Sequence, residues 1–160
     1  MNNLSAATDI RLIEYQANKL QELIGEVHSC CKDRFAREAR VFKLPQAELK
    51  CLMLFEGHKY LTGMEIAGLL EVAKSRATVI IDNLETRSLV QRSADPNDAR
   101  VKLISLTPAG QRKVREIEEF MFDLHQQLLG QIDPDQRAGV IAALETLRSS
   151  MEAVKAQFSK

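Results

Sequence analysis

Apolar residues recur at three- and four-residue steps over most of this chain, and the places where that rhythm breaks define its elements. Ile13, Ala17, Leu20, Ile24, Val27 and Cys31 form a heptad seam and predict one long helix over residues 10–42. Pro45 lies beyond its end, because the residue before a proline is biased out of the helical region. Residues 46–56 read as a second helix carrying Leu49, Leu52, Met53 and Phe55, with Gly57 as its stop. Thr62, Gly63, Met64 and Glu65 have the form of a capping box, which starts a short third helix over 63–70. A fourth helix over about 74–87 turns Ala77, Ile80, Ile81 and Leu84 inward. Its outward N-terminal side shows Lys74, Ser75, Arg76, Thr78 and Val79.

The period then drops to two. Residues 89–93 and 101–106 alternate apolar and polar, as strands do, around the turn-forming run Asp95, Pro96, Asn97 and Asp98. Thr107 followed by Pro108 reads as an N-cap and a proline at the first helical position. Beyond it Val114, Ile117, Met121, Leu124 and Leu128 restore the helical spacing. After a break at Asp133 and Pro134, Val140, Leu144, Leu147, Met151, Val154 and Phe158 do the same. The predicted fold is mainly α with a small β-wing: a winged helix-turn-helix with long N- and C-terminal dimerisation helices. It occupies a single domain, 1–160, with a DNA-binding region at 45–107 and helical dimerisation regions at 10–44 and 108–160. A helix pair whose second member starts polar and basic fits a major groove, and a strand pair with a polar tip reaches an adjacent groove or the backbone. Apolar stripes this long exceed what the central unit can cover, which points to a homodimer. Packing of the long helices on one another within a monomer is the alternative.

Composition narrows this only a little. Of 160 residues, 45% are hydrophobic and 28% charged, as in ordinary globular chains. No apolar run approaches the roughly 20 residues that cross a bilayer. The first residues carry acids and lack a basic start followed by an apolar stretch, so neither a membrane partner nor a secretory signal is expected. Three cysteines without framework spacing suit a reducing cytoplasm. Lys and Arg number 22 and so do Asp and Glu, so the whole chain has no basic excess. Between Val72 and Thr107, however, six bases (Lys74, Arg76, Arg87, Arg92, Arg100, Lys102) face four acids (Asp82, Glu85, Asp95, Asp98), a mild local footprint.

Three stretches together resemble the MarR family of bacterial transcription regulators: residues 84–92, the run Asp95, Pro96, Asn97, Asp98, Ala99, Arg100, and Leu106, Thr107, Pro108, Ala109, Gly110. The similarity is most specific from Leu61 to Gly110, and the helical flanks match the family's plan in order and length. The resemblance implies a winged-helix homodimer that binds pseudo-palindromic double-stranded DNA, usually a repressor released by a small effector or by oxidation. It places Lys74, Ser75, Arg76, Thr78 and Val79 in the major groove. Arg100, oriented by Asp98, and Lys102 would contact DNA from the wing. Arg and Lys pair with guanine edges or phosphates, hydroxyls with either, and Arg fits a narrow minor groove. Three positions depart from the pattern. Ala73 stands where a capping Ser or Asp is common. Ser88 replaces the usual glycine and counts against a glycine-type left-handed cap. Val79 is apolar on the groove face, where it suits a thymine methyl.

Cys31 on the seam and Cys51 beside Leu52 suit packing, whereas Cys30 is one step off the seam, with Lys32 and Arg34 near enough to lower a thiol pKa. All three are candidates for a thiol-based redox switch, one alternative function; a winged-helix protein-interaction module without DNA binding is another. His28, His58 and His125 lack metal-ligand spacing, and no metal or other cofactor is expected. A glycine-rich phosphate loop, a nucleophile elbow and a paired acid–base motif are all missing, so no enzyme is expected. The effector site expected on this scaffold is an apolar crevice between the helical flanks and the winged unit.

Overall fold

The computed structural model describes residues 3–96, 98 and 100–158, so Asn97 and Ala99 of the wing tip, and Ser159 and Lys160, lie outside the described residues. The elements are α1 (Asn3–Phe42), α2 (Gln46–Met53), β1 (Leu61–Thr62), α3 (Gly63–Leu69), α4 (Lys74–Thr86), β2 (Val90–Ala94), β3 (Lys102–Leu106), α5 (Pro108–Gly130) and α6 (Pro134–Phe158). This is the winged helix-turn-helix that the alternating periods predict. Two compact units emerge, Met1–Gln111 and Arg112–Lys160.

In the first unit, α2, α3 and α4 enclose a core built from Leu49, Leu52, Ile66, Ala77, Ile80, Ile81 and Leu84. The four inward residues predicted for α4 are all buried, because the 3.6-residue period sets one stripe against α2 and α3. Thr62 caps α3 as expected: its hydroxyl accepts from Glu65 N–H at 3.2 Å, while Glu65 accepts from Thr62 N–H at 2.7 Å. Hydrogen bonds donated by the Thr62 N–H and, at 2.8 Å, by its hydroxyl hold the Glu65 carboxyl below its usual range.

α2 stops at Met53, short of residue 56, because 54–56 bond three residues back and the chain swings away at Gly57, φ 83°. The short strand β1 escaped the sequence analysis. Two residues are too few to show a period, yet Leu61 and Thr62 pair with Ile104 and Leu103 and make a three-stranded antiparallel sheet in the order β1-β3-β2.

Ser88 corrects an expectation. It lacks glycine's freedom, but its φ is 57°, and the left-handed cap forms anyway. Ser88 N–H bonds Glu85 O at 2.8 Å and Leu89 N–H bonds Leu84 O at 2.9 Å, the two bonds of a Schellman motif, with both leucines buried. Lys43 and Glu71, at φ 53° and 54°, end α1 and α3 in the same way. At all three ends the buried residue that follows, or its paired bonds, outweighs a local penalty of about 1–2 kcal/mol for a side chain in this region.

Gly110 does need to be glycine. A Cβ there would sit 1.9 Å from Leu89 O, so the start of α5 lies directly on the β2 entry. Thr107 pins the junction as the predicted N-cap, accepting from Gly110 N–H at 3.0 Å and donating to Ser88 O at 2.6 Å. In the second unit, Asp133 accepts from Asp135 N–H at 3.1 Å and starts α6, which has no buried residue.

Candidate nucleic-acid interface

Lys74, Ser75, Arg76, Thr78 and Val79 all lie exposed on the first turns of α4, opposite its buried stripe. Ala73 supplies no side-chain cap, so the first amides of α4 are left for solvent or a ligand. Thr78 donates its hydroxyl proton to Lys74 O at 3.0 Å, so what it offers outward is an acceptor and a methyl group. Val79, 48% exposed, is an apolar spot on this polar face.

Two of the six local bases are engaged inside the unit, which charge counting did not foresee. Arg92 on β2 bonds Glu85 through Nη1 and Asp82 at 2.5 Å through Nη2, tying the wing to α4. Arg87 lies 3.2 Å from Glu48, a carboxylate buried within α2. The only sequence signal for the first was the three-residue spacing of Asp82 and Glu85, which puts both acids on one side of a helix. By contrast, neither Lys74 nor Arg76 forms an ion pair among the described residues.

The wing carries the remaining cations. β2 and β3 pair from Val90 with Leu106 to Ala94 with Lys102, and the turn closes through Asp95 N–H to Val101 O at 3.0 Å. One oxygen of Asp98 accepts from both the backbone N–H and the Nε of Arg100, at 3.0 and 3.2 Å. The side-chain contact is made through Nε, on an Arg100 side chain that is 92% exposed. Lys102 sits exposed at the start of β3.

The cysteines are free and differ in environment: Cys30 is exposed, Cys31 half-buried and Cys51 fully buried. Burial, with the Glu48 charge beside it, pushes the Cys51 thiol up to about 12, so it carries no thiolate at neutral pH and is a poor redox candidate. Among the described residues, no three His, Cys, Asp or Glu side chains gather in a way that would hold a metal ion. A cavity of about 320 Å³ opens in the first unit between Phe55, His58, Lys59, Tyr60, Gln91, Ser105, Leu106 and Gln111. Its lining mixes the apolar surfaces of Phe55, Tyr60 and Leu106 with polar side chains. Among the described residues, no helix is long and apolar enough to cross a membrane.

Known proteins share this fold. Residues 44–102 match the model of the MarR family. The uncharacterised HTH-type transcriptional regulator YsmB of Bacillus subtilis is 35% identical over 66 residues, 39% of this chain, which spans only 45% of that protein's length. The multiple antibiotic resistance protein MarR of Escherichia coli is 29% identical over 118 residues, 72% of this chain and 79% of that protein. A mutant of MepR from S. aureus, solved bound to an oligodeoxyribonucleotide, superposes with a TM-score of 0.63 at 22% identity, over 82% of this chain and 97% of that one.

Proposed function

We propose, from the match of residues 44–102 to the MarR family model and the likeness to MarR of Escherichia coli, that the chain is a MarR-family, sequence-specific double-stranded DNA-binding regulator of transcription, a cytoplasmic homodimer acting as a repressor that a small effector releases. Family members regulate transcription and are not enzymes. The observation that carries the DNA reading is the exposed face of α4. Lys74 and Arg76 stand there without internal ion pairs, while Arg87 and Arg92 of the same region are engaged by acids. A cation not held by the protein's own carboxylates remains available to phosphate or a guanine edge.

Supporting detail comes from three places. The uncapped first turn of α4 offers N–H groups to a phosphate beside Lys74 and Ser75. Arg100 presents an exposed side chain from the wing, with Lys102 behind it. MepR, of the same fold, has been solved with an oligodeoxyribonucleotide. The dimer rests on the apolar residues left exposed along α1 and α6, and a two-fold dimer reads half-sites about 10 base pairs apart in a pseudo-palindrome.

Selection of genomic fragments bound by the full chain, followed by titration over a salt series, tests this. A pseudo-palindromic motif bound with a steep salt dependence is the expected result. Absence of any salt-dependent duplex binding would leave a winged-helix interaction module in its place. Loss of binding on peroxide treatment, restored by thiol, would make the regulator redox-responsive through Cys30 or Cys31.

A further inference from the structure

Glu48 is an acid at 3% exposure in the middle of the first unit's core, and both of its oxygens are directed at one end of α4. Oε1 accepts from Asn83 Nδ2 at 3.0 Å, and Oε2 lies 3.2 Å from Arg87 Nε. Asn83 and Arg87 are one helical turn apart, so the carboxylate grips the last turn of α4 from the side. The guanidinium then continues across the core edge, with Nη1 3.5 Å from the carbonyl of Lys43, the left-handed residue that ends α1. One carboxylate and one guanidinium thus join α2, the C-terminal end of α4 and the C-terminal end of α1.

The carboxylate is buried while the Arg87 side chain is 46% exposed; such a pair contributes little net stability over an apolar substitute, but a buried carboxylate with a fixed partner tolerates few alternative geometries. Geometry matters here because α4 is a lever. Over 13 residues it is about 20 Å long at 1.5 Å per residue, so a tilt of about 5° pivoting at Arg87 moves its other end by roughly 1.7 Å. The end that moves carries Lys74, Ser75 and Arg76. Directional contacts need positions held to about 0.5 Å.

From this placement we infer that Glu48 and Arg87 form a latch that fixes the tilt of α4 against the end of α1. Neither residue touches the groove. Both are positioning residues for base recognition, and through them the seam-bearing helix α1 is mechanically coupled to the groove-facing end of α4. The inference rests on the DNA-binding reading above for its consequence, though not for the latch itself.

The test uses the full chain with Glu48→Gln, Arg87→Met, Arg87→Lys and the double variant Glu48→Gln with Arg87→Met. Binding is measured on the selected operator and on a random duplex of equal length, and backbone amide exchange is followed without DNA. Each of the first two variants should weaken operator binding about tenfold or more while random-duplex binding moves by less than about threefold, because phosphate contacts survive a tilt that base contacts do not. The double variant should lose no more than the worse single one, since both break one latch. Arg87→Lys, which keeps the charge and loses the fork, should restore only part of the operator preference. In Arg87→Met, exchange should quicken both in residues 83–88 and in residues 39–44. Equal losses on operator and random DNA, additive losses, or unchanged operator binding would overturn the positioning role. Quickened exchange confined to α4 would overturn the coupling to α1. If the parent bound no duplex at all, the DNA reading would fall, and the exchange pattern alone would decide whether the latch exists.

Discussion

The winged region and the long helices are both amphipathic, yet they finish their surfaces in opposite ways. In residues 44–107 the apolar stripes close on one another: Leu52, Ile66 and Leu84 are completely buried. In α6 no residue is buried, and Val140, Leu144, Met151 and Val154 all face outward. The N-terminal half of α1 repeats this, with Ile13, Leu20, Ile24 and Val27 exposed. One period of apolar residues therefore has two outcomes. Short elements joined by tight caps fold their stripes into a common core, whereas helices of 40 and 25 residues carry more apolar surface than their neighbours cover. The closed region covers its own apolar surface, and the open seams leave theirs uncovered.

Breaking the open side should have the largest effect. Leu20→Glu together with Ile24→Glu places two charges on the α1 seam. The expected result is a monomer by sedimentation, with operator affinity down by about 10²-fold or more because the two half-sites are no longer engaged by one molecule. A dimer as stable as the parent would show that this seam is not the interface. On the closed side, Gly110→Ala should cost about 3 kcal/mol by denaturant titration, since its Cβ meets backbone at Leu89 rather than a movable side chain. A loss under about 1 kcal/mol would mean that the α5 junction is looser than this contact indicates.

The outward face of the closed region sets the next tests. Arg76→Ala should cost on the order of 1–3 kcal/mol of operator binding and relax base preference at particular positions. Equal loss on random DNA would make Arg76 a phosphate contact instead. Arg100→Ala should weaken binding with an unchanged circular dichroism spectrum and lower the salt slope by about one unit. Arg100→Lys should rescue it incompletely, and Asp98→Ala should lose less, by misplacement. Binding like the parent in Arg100→Ala would remove the wing from the DNA interface.

Two smaller effects sharpen the contrast. Ser88→Gly should raise stability by about 0.5–1 kcal/mol, because glycine carries no penalty at the φ of 57° that the cap requires. A destabilised Ser88→Gly would show that the serine side chain contributes something the backbone bonds do not. Thiol labelling of the native chain should modify Cys30 first, on the open helix. Cys51 should wait for unfolding, as its thiol is buried and stays protonated until the pH nears 12. Early labelling of Cys51 would mean that the core opens locally.

Much of this molecule was legible because local rules and the final structure agree. The buried stripe of α4, the Thr62 capping box, the Thr107 cap and the two longer strands follow from period and from side chains that bond their own backbone. The exposed set from Lys74 to Val79 followed from the same period read on its other side. What stayed hidden lacked a local signal. β1 is two residues long and exists only because β3 lies alongside it. The cap at Ser88 contradicts its own preference, and Leu89 packing below it decides the matter.

Sequence by itself thus determined where the helices and the two longer strands run, which face of each is apolar, and which side chains can only point outward. Those properties depend on residues within one or two turns of each other. Tertiary structure alone decided which charges remain available outside. Arg87 is drawn to Glu48 and Arg92 to Asp82 and Glu85, while Lys74 and Arg76 are left to solvent. The physical reason is that an ion pair depends on distance in space and on the burial of its partner. A count of charges along the chain contains neither.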